Sequence, residues 1–153
     1  MRHFKLFMIP MFVLIGYLSN AQTLINETFT SGIPADWSTL NEDGDSYIFK
    51  SPAQYSVNGT TEYAAAMGCS NDYLITPQLS ITSTDFNLSF EAGVESSTYA
   101  YSYKVMVSTT DTDPSSFTEI ADSVDFNSTT WKSSTINLGA YSGQDIYIAF
   151  YVY

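Results

Sequence analysis

The chain has 153 residues, with five basic residues, 16 acidic ones and a formal charge of −11. That balance repels phosphate backbones and argues against nucleic-acid binding. A single cysteine, Cys69, excludes an internal disulfide, so the fold must be held by packing and hydrogen bonds.

The first residues read as an export leader. Arg2, His3 and Lys5 make a short positive start, Leu6 to Leu18 is an apolar run, and Ser19-Asn20-Ala21 sets small residues before Gln22. The run is too short for a comfortable membrane span. The expectation is a cleaved signal peptide over residues 1–21 and one exported domain over residues 22–153, secreted or at the cell surface, with no span left after cleavage. Removing the leader leaves Lys50, Lys104 and Lys132 against 16 carboxylates, hence a formal charge of −13. It also removes His3, the only histidine, and with it any Ser-His-Asp or Cys-His arrangement and any histidine-ligated zinc. The surplus of carboxylates suits hard cations such as calcium.

From Gln22 onward the periodic segments alternate with period two. "LINETF" is a short strand candidate, followed by the turn cluster "TSGIPADW". The acidic stretch "NEDGD" (residues 41–45) separates "WSTL" from the strand candidate "SYIFK". After the turn "VNGTTE" come "YAAAM" and "DYLIT". Cys69, in "GCSND", has no adjacent base or cation and reads as a small semi-buried residue. "FNLSFEA" places Phe86, Leu88, Phe90 and Ala92 on one face, and "YSYKVMVST" does the same for Tyr101, Tyr103, Val105 and Val107. Asp113 before Pro114 looks like the cap and first position of a single helical turn. "FTEIAD" and "WKSSTINL" are further strand candidates. The last segment, "DIYIAFYVY", sends Ile146, Ile148, Phe150 and Val152 one way and Tyr147, Ala149, Tyr151 and Tyr153 the other, apolar enough to lie centrally or be covered on both faces. About nine short strands and no long amphipathic helix predict an all-β, two-sheet antiparallel sandwich.

Four blocks in register resemble one family. They are "FTSGIPADWSTLNEDGDSY" (29–47), "NDYLITPQLSI" (71–81), "YKVMVSTTDTDPSSFTEI" (103–120) and "WKSSTINLGAYSGQDIYIAFYVY" (131–153). Together they are similar to the cleaved-adhesin domain, also called the choice-of-anchor J domain, of exported Bacteroidota proteins, including the adhesin regions attached to gingipain proteases. The resemblance covers nearly all of residues 26–153. It implies a calcium-stabilised jelly-roll that acts in adhesion rather than catalysis. It also implies a further strand beyond Tyr153 ending near an acidic pair, so the domain is expected to be C-terminally truncated and short of its final strand.

The candidate sites follow from both readings. Asn41, Asp43 and Asp45 have the alternate spacing of the first ligands in a calcium loop, but Ser46 and Pro52 stand where an EF-hand needs Gly and Glu. A structural calcium held through Asp43 and Asp45 competes with a plain solvated Asp-Gly turn. By the resemblance, Glu27 matches an acidic position and is a third candidate ligand. Glu91 with Glu95 is a conceivable carboxylate pair for a glycosidase, yet no catalytic signature accompanies them, and no enzyme is expected. Sugar-binding surfaces use exposed aromatic faces. Tyr99 and Tyr101 are the candidate binding residues, near a loop rim, while Tyr103, Trp37 and Trp131 are assigned to the core. The expected function is a non-catalytic adhesion module for a glycan or extracellular protein. The alternative is an accessory domain of a secreted protease or glycosidase whose catalytic part lies outside this chain.

Overall fold

The computed structural model describes residues 22–46, 48–51, 56–57, 59, 71–98 and 100–153. The candidate strand "YAAAM", Cys69, Tyr99 and the leader lie outside the described residues. Among those described there is no α-helix, hence none long and apolar enough to cross a membrane.

Among the described residues eight strands are formed: β1 (Ser38–Asn41), β2 (Asp72–Ile75), β3 (Leu79–Ile81), β4 (Asn87–Ala92), β5 (Tyr101–Ser108), β6 (Thr118–Phe126), β7 (Lys132–Asn137) and β8 (Gln144–Val152). The larger sheet runs β1-β2-β8-β5-β6, with β3 also paired to β8; β4 and β7 make a second sheet, two-stranded among the described residues. Every pairing is antiparallel. The all-β, two-sheet expectation holds. "LINETF" departs from it. Residues 22–29 form no regular strand, although Leu24 and Ile25 pack against the core.

The single helical turn at Asp113 is present. Pro114–Ser116 is a 3-10 turn, and the Asp113 carboxylate accepts from the Ser115 backbone N–H at 2.9 Å and from its hydroxyl at 2.6 Å. Both bonds favour the ionised form and hold the Asp113 carboxyl below its ordinary range.

β8 is central, as its two apolar faces require. Ile146 and Ile148 join Leu79, Ile81, Val105, Val107 and Leu138 in the main core, against which Leu88 and Phe90 of β4 and Ile136 of β7 pack. Ala149 faces the opposite side with Tyr73, Ile75 and Phe117, flanked by Tyr147 and Tyr151. One strand thus serves two apolar clusters.

β8 changes partner along its length. Its second half pairs with β2 and its first three residues with β3, and Thr76 bridges the gap. The Thr76 backbone N–H donates to the Ile148 carbonyl at 2.9 Å, and its buried hydroxyl oxygen accepts the Ile148 N–H at 3.0 Å. Thr76→Val keeps the shape but strands a buried donor. A loss of about 1–3 kcal/mol is expected, read as a lower urea midpoint with unchanged slope.

Candidate functional site

The end of the large sheet where β1 finishes and β2 begins gathers the acidic loop and a row of tyrosines. Asn41 pairs with Asp72, and Asp72 with Val152, so the 42–46 loop, the start of β2 and the end of β8 are neighbours.

The loop is built by its own side chains. The Asn41 carbonyl oxygen accepts the Gly44 N–H at 2.7 Å, and its amide donates to the Asp45 carbonyl at 2.7 Å. Asp43 accepts the Asp45 N–H at 3.0 Å. Gly44 sits at φ +72°, a left-handed conformation that favours glycine. The Glu42 N–H donates to the carbonyl of Asn71, itself left-handed at φ 62°, which ties the loop to the start of β2.

Under this loop lies Asp72. It is 1% exposed, and its Oδ1 has no hydrogen-bond partner. Burial, then the nearby charges of Asp43 and Asp45, push its carboxyl from the ordinary 3.8 up to about 6. Sequence reading missed this residue, although a carboxylate opening the otherwise buried strand "DYLI" was a usable signal.

Beside it runs an aromatic row. Tyr73 and Tyr151 stack with centroids 4.3 Å apart, and Tyr151 and Tyr153 with centroids 5.7 Å apart and planes 15° apart. Each ring is fixed from its polar end or face. The Tyr151 hydroxyl donates to the Asn71 side chain at 2.6 Å and that of Tyr153 to Asp122 at 2.8 Å. Lys104 lies 4.9 Å from the Tyr153 ring centroid while paired with Glu119 at 2.9 Å. Burial and the Glu42 carboxylate push the Tyr73 hydroxyl up to about 12 and raise that of Tyr151. These tyrosines stay neutral hydrogen-bond donors across the physiological range. The alternation in "DIYIAFYVY" had put Tyr151 and Tyr153 on one face; that Tyr73 would join them depended on the β2–β8 register.

The sequence-derived candidates are scattered by comparison. Asp43 and Asp45 share the acidic loop. Glu27 turns onto its own chain, where its carboxylate accepts the backbone N–H of Phe29. Among the described residues no three His, Cys, Asp or Glu side chains group closely enough to hold a metal ion, so Glu27, Asp43 and Asp45 are not a ready-made cage. Tyr101 is half-buried and in register with Phe126, and Tyr99 is outside the described residues. Trp37 is half-buried, edge-on to Phe29 at 5.2 Å. Trp131 is half-buried with its ring beside Gly93, where an added methyl would meet it at 3.4 Å. Glu91 and Glu95 are both exposed, and Glu91 accepts from Ser133 at 3.0 Å.

A family profile described as Cleaved Adhesin Domain matches residues 22–153. Gingipain R1 and Lys-gingipain of Porphyromonas gingivalis are each 35% identical over 109 residues, which is 63% of this chain and 6% of those proteins. This chain therefore spans a small part of the length of these curated relatives. The crystal structure of the K3 cleaved adhesin domain of Lys-gingipain superposes with a TM-score of 0.68 at 25% identity, covering 85% of this chain and 88% of that one. That of the K1 domain gives 0.65 at 24% identity, covering 82% and 85%, and supports the fold. The chain belongs to the cleaved adhesin domain family.

Proposed function

We propose that this protein is an exported, non-catalytic adhesion module that holds glycans or host and matrix proteins at or outside the cell surface. The observation that carries the reading is the match of residues 22–153 to an adhesin-domain family, on a scaffold where a fixed tyrosine row runs from the buried Tyr73 out to the exposed Tyr153. Rigid aromatic faces are the kind of surface on which sugar rings and extended side chains rest. Tyr153, 37% exposed, is the outermost ring of that row. Tyr101, at the start of β5 beside β8, remains in the proposal as a binding residue together with Tyr99. That the matched region is only a small part of each gingipain favours a second reading, an accessory domain of a secreted hydrolase.

Calcium belongs to the same proposal. Asp43 and Asp45 are the residues that would hold it, with backbone and water oxygens completing the shell. What supports this is the buried, unpartnered Asp72 oxygen beside them, whose charge a cation would neutralise. Immobilised protein should retain members of a glycan and matrix-protein panel without turning any of them over, and its melting temperature should rise in millimolar calcium relative to chelator. Product formation from any panel member would overturn the adhesion reading. Equal melting temperatures in calcium and chelator would remove calcium from it.

A further inference from the structure

Tyr151 is the middle ring of the aromatic row, and both neighbours lean on it. Tyr73 stacks against it from β2 with centroids 4.3 Å apart, and Tyr153 from two residues further along with centroids 5.7 Å apart. Stacking by itself tolerates sliding and turning of a ring, whereas a short hydrogen bond at the polar end fixes both. That bond runs to a residue outside the row. The Tyr151 hydroxyl donates to the Asn71 side-chain oxygen at 2.6 Å. Where this ring stands decides where the outer face of Tyr153 stands.

Asn71 is held in turn. Its φ of 62° lies in the left-handed region, which asparagine tolerates better than most residues but does not favour. Its carbonyl accepts the Glu42 N–H at 3.0 Å, one residue before the β1–β2 ladder begins at Asp72. Glu42 opens the acidic loop, which the Asn41 side chain closes through its bonds to Gly44 and Asp45. The Tyr73 hydroxyl donates to the carboxylate of the same Glu42. Asn71 therefore has its main chain tied to the loop and its amide oxygen tied to the row.

We infer that Asn71 is the positioning residue of the tyrosine row: its side chain sets the Tyr151 ring, and its backbone passes the state of the 42–45 loop to that ring. Without the Glu42 bond, Asn71 relaxes towards extended backbone, which swings its amide away from the Tyr151 hydroxyl and loosens both stacks. The inference rests on the adhesion reading and adds how the binding face is kept rigid and by which segment it is controlled.

The test is ring spectroscopy on the ligand-free protein, by nuclear magnetic resonance of isotope-labelled tyrosine with Tyr73, Tyr151 and Tyr153 assigned through their Phe variants. Asn71→Gly keeps the left-handed backbone and removes only the acceptor. It should shift the ring resonances of Tyr151 and, through the stack, of Tyr153, while Tyr103 on the opposite face of the sheet stays in place. Tyr151→Phe breaks the same bond from the other side and should move Tyr153 as Asn71→Gly does, and the double variant should add nothing further. Asn41→Ala opens the loop; it should move Tyr151 in the unmodified background and much less in the Asn71→Gly background. Both Asn71→Gly and Tyr151→Phe should lower retention on the glycan and matrix-protein panel by about fivefold. A Tyr153 ring indifferent to both variants would overturn the inference. So would an Asn41→Ala that leaves Tyr151 in place or moves it equally without the Asn71 side chain. Ring shifts with unchanged retention would overturn it too, by removing the row from binding. Should Asn71→Gly fail to fold, Tyr151→Phe decides through the Tyr153 ring. An unmodified protein that retains no panel member sinks the adhesion reading by itself, and the ring shifts still decide whether Asn71 positions the row.

Discussion

Asp72→Asn is expected to make the folded state more stable than wild type by up to about 3 kcal/mol at pH 8, with the gain vanishing below about pH 4. The carboxyl is 1% exposed, has an oxygen without a partner, and lies close to Asp43 and Asp45, which together lift it from 3.8 to about 6. The folded protein therefore holds this proton more tightly than the unfolded chain does. The stabilisation linked to that proton is complete below the unfolded value, is lost as pH rises from about 4 through about 6, and is absent above. Two pK units at about 1.4 kcal/mol each set the size. An asparagine is neutral throughout, so the variant lacks this decline. Urea midpoints of both proteins from pH 4 to pH 8 measure it, and coincident profiles would refute it. The same experiment bears on calcium. A cation at Asp43 and Asp45 would pull the Asp72 carboxyl back towards its ordinary range, so the difference between variant and wild type should shrink in millimolar calcium.

What could be read from sequence here follows from what period-two alternation encodes. It assigns side chains to faces, so the two-faced burial of "DIYIAFYVY" placed β8 centrally, and "FNLSFEA" placed Leu88 and Phe90 inward; the structure agrees on both. The cap at Asp113 was legible because it is purely local. Alternation does not encode register, which decides long-range neighbours. That Asn41, Asp72 and Val152 stand side by side across three strands depends on pairings between residues far apart in the chain. The Asp72 site and the Tyr73–Tyr151 stack were therefore invisible until the strands were ordered. "LINETF" shows the converse error. Its composition suits a strand, but without a paired neighbour on either side among the described residues it supplies core contacts through Leu24 and Ile25 and no ladder. "NEDGD" is the intermediate case, a turn by its own Asn41 and Asp43 bonds whose electrostatic role is set by the strand beneath it.

The centrality of β8 leads to the largest expected loss from a single truncation. Ile148 is 1% exposed, lies in the main core, and stands opposite Val107 on β5. Its backbone is held on the other side by both polar groups of Thr76. A strand bonded along both edges cannot move inward to fill a void, so most of the volume removed in Ile148→Ala would persist as a cavity. Large-to-small changes of this type cost about 2–5 kcal/mol, and restricted relaxation places this one in the upper half of that range. Val124 is the matched control, because it stands on β6 and is 63% exposed. Val124→Ala should move stability by no more than about 0.5 kcal/mol. Denaturant midpoints of the two variants separate the cases. A cost below about 1 kcal/mol at Ile148 would mean that β8 is free to shift, and the Thr76 bridge could then not be the clamp described above. Because Thr76 and Ile148 touch, the double variant Thr76→Val with Ile148→Ala should cost less than the two losses added: once the side chain no longer anchors the strand, the stranded Ile148 N–H can turn towards another partner.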